Sequence, residues 1–157
     1  MPMIDVYAAS GTFGDPHALA QSLATELMTI EQVPDIPMFR QNTAAFVHEM
    51  PAANLSNVDG DSTYVRVQVL TNAGALDRDK QLAVVSRLTS IVADAAADAS
   101  LAERTWVLLT EAYDGGWGLA GHDQHERGVG RGGSSADRAA AGREVTTRMA
   151  EHNVGRS

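Results

Sequence analysis

Cysteine is absent from this chain of 157 residues, so neither a disulfide framework nor thiolate chemistry is open to it. Basic residues are scarce: 12 Lys and Arg stand against 20 Asp and Glu, a formal net charge of −8. A chain of that sign is a poor partner for nucleic acid or an anionic membrane, and an anionic substrate would need a local basic pocket. No apolar run is long enough to span a bilayer, and the first residues lack the basic, apolar, small-residue order of a signal peptide. The expectation is a soluble, cytoplasmic protein. Its length suffices to bury a core without covalent staples.

What the chain does have is Pro2, directly behind Met1 and opening the apolar run Met3-Ile4-Asp5-Val6-Tyr7. Removal of Met1 would leave a secondary amine, which is both base and nucleophile. A free α-amino group titrates near about 7.7 to 8.0. A dry or cationic setting lowers that value toward neutrality, where a general base works best.

The order of elements repeats. Ile4 to Ala9 reads as a buried strand, and Asp15-Pro16 as a cap and first helical turn. The following helix carries Leu19, Leu23 and Leu27 on one stripe until Pro34 and Pro37 end it. A second strand spans Ala44 to Met50, and Ala52 to Asp61 is a polar, turn-rich connector. Then comes a strand over Tyr64 to Leu70, a helix from Asp77 to Ala96 with Leu82, Val85, Leu88 and Val92 on one face, and a strand over Thr105 to Glu111. Residues 1–61 and 62–122 are thus two tandem β-α-β repeats, and 123–157 form a Gly-rich arm with a last helix over Ala136 to Ala150.

One β-α-β unit leaves a sheet edge and a sheet face uncovered. Two of them build an α+β fold, a four-stranded mixed sheet with two helices on one face. In the third strand Val65, Val67 and Val69 alternate with Tyr64, Arg66 and Gln68, so the valines point to the helices and the polar set to the other face. Such a half-polar sheet commonly packs against copies of itself. Arg66 is expected to find Asp5 on the neighbouring strand.

These features together resemble the tautomerase superfamily, the family of 4-oxalocrotonate tautomerase, in a fused, double-length form. Carrying the likeness are Pro2, the segment Val67 to Lys80, the glycine-aromatic-glycine hairpin after Trp106 to Glu111, and a weaker first-repeat echo ending in Phe46-Val-His-Glu-Met50. The resemblance covers residues 2–122 and implies a homotrimer and a cofactor-free keto-enol tautomerase. Pro2 would be its acid/base group on a small 2-oxo or 2-hydroxy-enoic acid. Trp117 stands where the family places an aromatic wall.

The family's arginines do not carry over. Their positions after the first strand hold Thr12 and Ala75, and those opening the second strand hold Ala44 and Trp106. Trp106 and Glu111 are also similar to cis-3-chloroacrylic acid dehalogenase. Yet Thr71 to Ala75 lack the arginine pair of that family and of malonate semialdehyde decarboxylase, and Leu119 takes the place of the dehalogenase's glutamate. A hydratase, dehalogenase or decarboxylase acting on a three-carbon acid is therefore the second reading, and a non-catalytic member of the fold the third. Strand parity offers Arg104 and His48 as substitute anion ligands, with Arg40 approaching from the preceding loop. His122 and His125 have helical metal spacing among glycines that favour a loop, so no metal is expected. Gly128 to Gly133 lack a phosphate loop's lysine ending.

Overall fold

The structure is a computed structural model that describes residues 2–119 and 121–123. The chain divides into two units, one ending at Asp114 and one beginning at Gly115. The expected Gly-rich arm and Ala136 to Ala150 helix lie outside the described residues, as does His125.

In the first unit the elements run β1 (Met3–Ala9), α1 (Pro16–Glu31), α2 (Pro37–Asn42), β2 (Ala44–Met50), β3 (Val65–Asn72), α3 (Arg78–Ala95) and β4 (Thr105–Ala112). The strands form one sheet in the order β2-β1-β3-β4. β1 is parallel to β2 and antiparallel to β3, which is parallel to β4. Each parallel pair is one strand-helix-strand repeat, and the antiparallel seam of β1 with β3 joins the two.

The repeats start their helices by the same chemistry. Asp15 accepts from the Ala18 N–H at 2.9 Å and Asp77 from the Lys80 N–H at 2.9 Å, each satisfying a first-turn donor. The turns before the caps match as well. Gly11 N–H donates to Glu49 at 3.1 Å and Gly74 N–H to Glu111 at 3.1 Å, tying each turn to the end of the next strand of its own repeat. Both glycines have positive φ, 85° and 72°, which a side chain would strain.

Both helices cover one face of the sheet. Ile4, Val6 and Ala8 from β1 and Val65, Val67 and Val69 from β3 pack there against Leu19, Leu23 and Leu27 of α1 and Val84, Leu88 and Val92 of α3. The α3 face is rotated from the expected one: Leu82 and Val85 are 52% and 41% exposed, and Val84 takes their place in the core. Two apolar stripes overlap along this helix, sharing Leu88 and Val92, and packing on the sheet selects the one through Val84. A short helix, α2, also occurs where only a connector was expected, because Pro37 starts it at a first-turn position.

The other face of the sheet carries no helix of this unit. Phe46, Trp106 and Leu108 stand half-exposed on it. Tyr7 stacks on His48 at 4.6 Å between centroids, and Arg66 lies 5.3 Å over the Tyr7 ring. Asp5 bonds His48 Nε2 at 2.6 Å, while Arg66 donates to Gln68 at 3.0 Å. Parity thus predicts the polar face but not its pairing, since Asp5 has β2 on one side and β3 on the other.

The second unit contributes a hairpin of β5 (Gly118–Leu119) and β6 (His122–Asp123), paired antiparallel. Among the described residues no helix is long and apolar enough to cross a membrane.

Candidate active site

Three polar side chains are buried among the described residues: Glu31 at 8% exposure, Thr43 at 7% and Thr71 at 2%. The register places Thr43 and Thr71 at one end of the sheet. Met3 pairs with Ala44 on one side and Leu70 on the other, so Thr43 and Thr71 flank Pro2 one step further along. Pro2 is itself buried, and its carbonyl accepts from Ala44 N–H at 3.4 Å.

Glu31 arrives from the helix. The α1 stripe Leu19, Leu23, Leu27 and Glu31 runs antiparallel to Pro2, Ile4, Val6 and Ala8 on the helix-facing side of β1. Its last member therefore meets the start of the strand. Burial raises the Glu31 carboxyl above its ordinary value, opposed by the positive charge of the Met1 amino group and by Lys80. Lys80, from the first turn of α3, donates through Nζ to the Glu31 carbonyl at 3.2 Å. A buried acid continuing a leucine stripe is a signal present in the sequence at Leu27 plus four, and sequence reasoning passed over it. Thr43 and Thr71 carried no such signal, because only the register sets them beside Pro2, and Lys80 comes in through its bond to the Glu31 carbonyl.

A groove of about 530 Å³ runs between α1 and β2, with Thr43, Ala44, His17 and Arg40 among its walls. The Thr43 hydroxyl is buried without a hydrogen-bond partner among the described residues. Arg40 is exposed on α2 and bonds Asp35 at 2.8 Å. Of the anticipated anion ligands it is one that shares a groove with the residues beside Pro2.

The others lie elsewhere within one chain. Arg104 precedes β4, whose Thr105 pairs with Val65 at the opposite end of β3 from Thr71. Six residues at about 3.3 Å each put that end roughly 20 Å from Pro2. There Arg104 bonds Asp98 at 2.8 Å and the Thr63 carbonyl at 3.2 Å. The Asp98 carboxyl is held below its ordinary range, by Ser100 first and also by Arg104. Trp106 stacks on Tyr64 at 4.7 Å and lines a smaller cavity of about 160 Å³ with Tyr7 and Arg66. His48 sits on the open face, bonded to Asp5. Trp117 belongs to the hairpin unit.

Residues of α1, α3 and the ends of β2 and β3 thus meet near the start of β1, in a fold made of two fused strand-helix-strand units. No protein-family model matches the sequence, and no curated protein sequence matches it. Solved structures do match. An R7 fused 4-OT, an asymmetric trimer, is 18% identical over 80% of this chain and 98% of its own, with a TM-score of 0.66. N1, a member of the cis-3-chloroacrylic acid dehalogenase family, is 18% identical over 77% of this chain and 82% of its own, at 0.62. A macrophage migration inhibitory factor-like protein from Entamoeba histolytica is 13% identical over 78% and 97%, at 0.62. The chain has the fold of the tautomerase superfamily.

Proposed function

We propose that this protein is a proton-transfer enzyme, a keto-enol tautomerase acting through the Pro2 amine on a small 2-oxo or 2-hydroxy-enoic acid. The observation that carries this reading is the buried Pro2 at a strand start that the buried Thr43 and Thr71 flank in register, with the buried Glu31 ending the helix stripe that runs back toward it. Buried polar groups are costly unless they have partners or tasks. Three of them gathered around one strand start, in a fold that needs no polarity there, suit a site that handles charge.

In this reading the amine exchanges a proton with the substrate's enol carbon beside the groove that Thr43 and Ala44 help to wall. Ala44 adjoins Pro2 without a guanidinium, so a single carboxylate is the most that the groove accommodates, held by Arg40 once it leaves Asp35. A monoacid enol such as phenylenolpyruvate is therefore expected to be turned over with a higher kcat/KM than the diacid 2-hydroxymuconate. Steady-state comparison of the two checks this. A preference for the diacid contradicts the substrate class, and turnover of neither contradicts the enzyme reading.

The open sheet face supports assembly of three copies, the state in which the fused 4-OT was found. Half-exposed Phe46, Trp106 and Leu108 beside paired polar groups suit a face covered by other copies. Sedimentation is expected to give about three times 16.6 kDa at micromolar concentration. A stable monomer sinks the assembly.

A further inference from the structure

The second repeat serves as an internal control on the first. In α3 the buried side chains are Val84, Leu88, Val92 and Ala93, and in α1 they are Leu19, Leu23, Leu27 and Glu31, so the last buried turn holds Val92 and Ala93 in one helix and Glu31 in the other. Each helix runs antiparallel to the strand before it, so the last stripe residue comes to that strand's start. Val92 comes to Val65 and Glu31 to Pro2. Val65 has a peptide nitrogen in mid-chain, whereas Pro2 has an amine once Met1 is gone. The stripe ends in an acid in the copy with the amine, and in valine in the copy without.

We propose that Glu31 is the positioning residue that sets the charge of the Pro2 amine: its carboxylate holds the amine as ammonium, so that Pro2 gives a proton before it takes one. The inference rests on Pro2 being the acid/base group. For an enol substrate the ammonium N–H proton goes to carbon, and the C=C electron pair forms the new C–H bond. The hydroxyl proton leaves to water as the C=O forms, and solvent reprotonates the amine.

The charges at this end are few. Glu31 from α1 and Lys80 from α3 face the site; Met3 of β1, Thr43 and Ala44 at the start of β2, and Leu70 and Thr71 of β3 carry none. Asp77 is engaged in capping α3 through Lys80 N–H, and Arg40 and Asp35 bond each other out on the surface. The carbonyl end of α1 adds a partial negative charge that favours a cation there. With Met1 present, its positive amino group opposes the rise of the Glu31 carboxyl, so Glu31 feels a cation at this end of the sheet; removal of Met1 moves that charge one residue along, to the Pro2 nitrogen, where a carboxylate favours the charged amine. Sequence alone leads to a lowered amine, and the buried acid reverses that sign.

A raised amine stays protonated to higher pH, so donor activity persists below its value and is lost as pH rises through it. The test is an NMR titration of the ¹⁵N-labelled Pro2 amine in Met1-free protein, beside a pH-rate profile. The wild-type amine is expected to titrate above the ordinary range of about 7.7 to 8.0. Glu31→Gln should lower it by about one to three units, the effect of removing an opposite charge within a few ångströms. Turnover relative to wild type would then fall as pH rises, by about tenfold or more between pH 8 and 9.

Glu31→Leu completes the leucine stripe and guards against a folding defect. It should show the same amine shift with a melting temperature at neutral pH equal to or above wild type. The sign follows from Glu31 itself, whose raised carboxyl contributes least to stability once pH exceeds its folded value. An amine titration unchanged in both variants overturns the inference, as does an unchanged titration with a lowered melting temperature, which would make Glu31 purely structural. A shifted amine together with wild-type turnover in Pro2→Ala overturns the catalytic reading instead and leaves only the ion pair.

Discussion

Replacing Pro2 with alanine is expected to slow enol turnover by about 10² to 10⁴, the range that a positioned acid or base contributes. The substitution leaves a terminal amine, so the loss would come from position and basicity. The pyrrolidine ring ties the nitrogen to Cα through Cδ and so fixes the direction of its lone pair and N–H, whereas the alanine amine rotates freely. Folding should be spared, because the contact that Pro2 makes with β2 is through its carbonyl, which alanine retains. Steady-state kinetics with circular dichroism as a control on folding checks this. Wild-type turnover by a folded Pro2→Ala protein would place the reacting group elsewhere.

Leu23→Ala is expected to destabilise the fold by about 2 to 5 kcal/mol, as deletion of a fully buried leucine does when its surroundings cannot collapse. Leu23 has no exposed surface and lies between α1 and the sheet, amid Val6, Val67 and Leu88 in one core. That loss is a large share of the roughly 5 to 15 kcal/mol that holds a domain together. The denaturant midpoint reads it. By contrast Leu82→Ala, on the exposed side of α3, should change the midpoint little, which separates the observed helix face from the one expected from periodicity.

Much of this fold is legible in the residues. Ala44 to Met50 reads as a strand from its composition and is one, and Asp15-Pro16 and Asp77 mark helix starts by capping chemistry that needs no tertiary context. The alternation Val65, Val67, Val69 assigns the two sheet faces correctly because period two leaves no ambiguity. The phase of α3 was not legible. Apolar residues at 82, 84, 85, 88 and 92 support two overlapping stripes, and the sheet beneath decides between them.

The candidate site divides in the same way. Pro2 announces itself by position in the chain. Thr43 and Thr71 are ordinary residues until the register of β1 with β2 and β3 sets them on either side of it. His48 lies on the anticipated face while Arg104 ends the turn before β4, bonded to Asp98, and parity carries no information on distance along a strand, so within one chain both lie far from Pro2. Glu31 was readable in principle. A stripe of leucines every four residues that ends in a buried glutamate breaks the pattern at a place where the second repeat keeps it with Val92. Such breaks of local consistency mark sites that trade stability for chemistry.

The central claim, that the Pro2 amine moves the proton, is met most directly by one comparison. The same sequence is prepared with Met1 removed and with Met1 retained, each verified by intact mass, and enol turnover is measured side by side. With Met1 retained the Pro2 nitrogen is an amide, without a basic lone pair, while every side chain is unchanged. Turnover is expected only from the Met1-free protein. Equal rates from the two preparations would contradict the account.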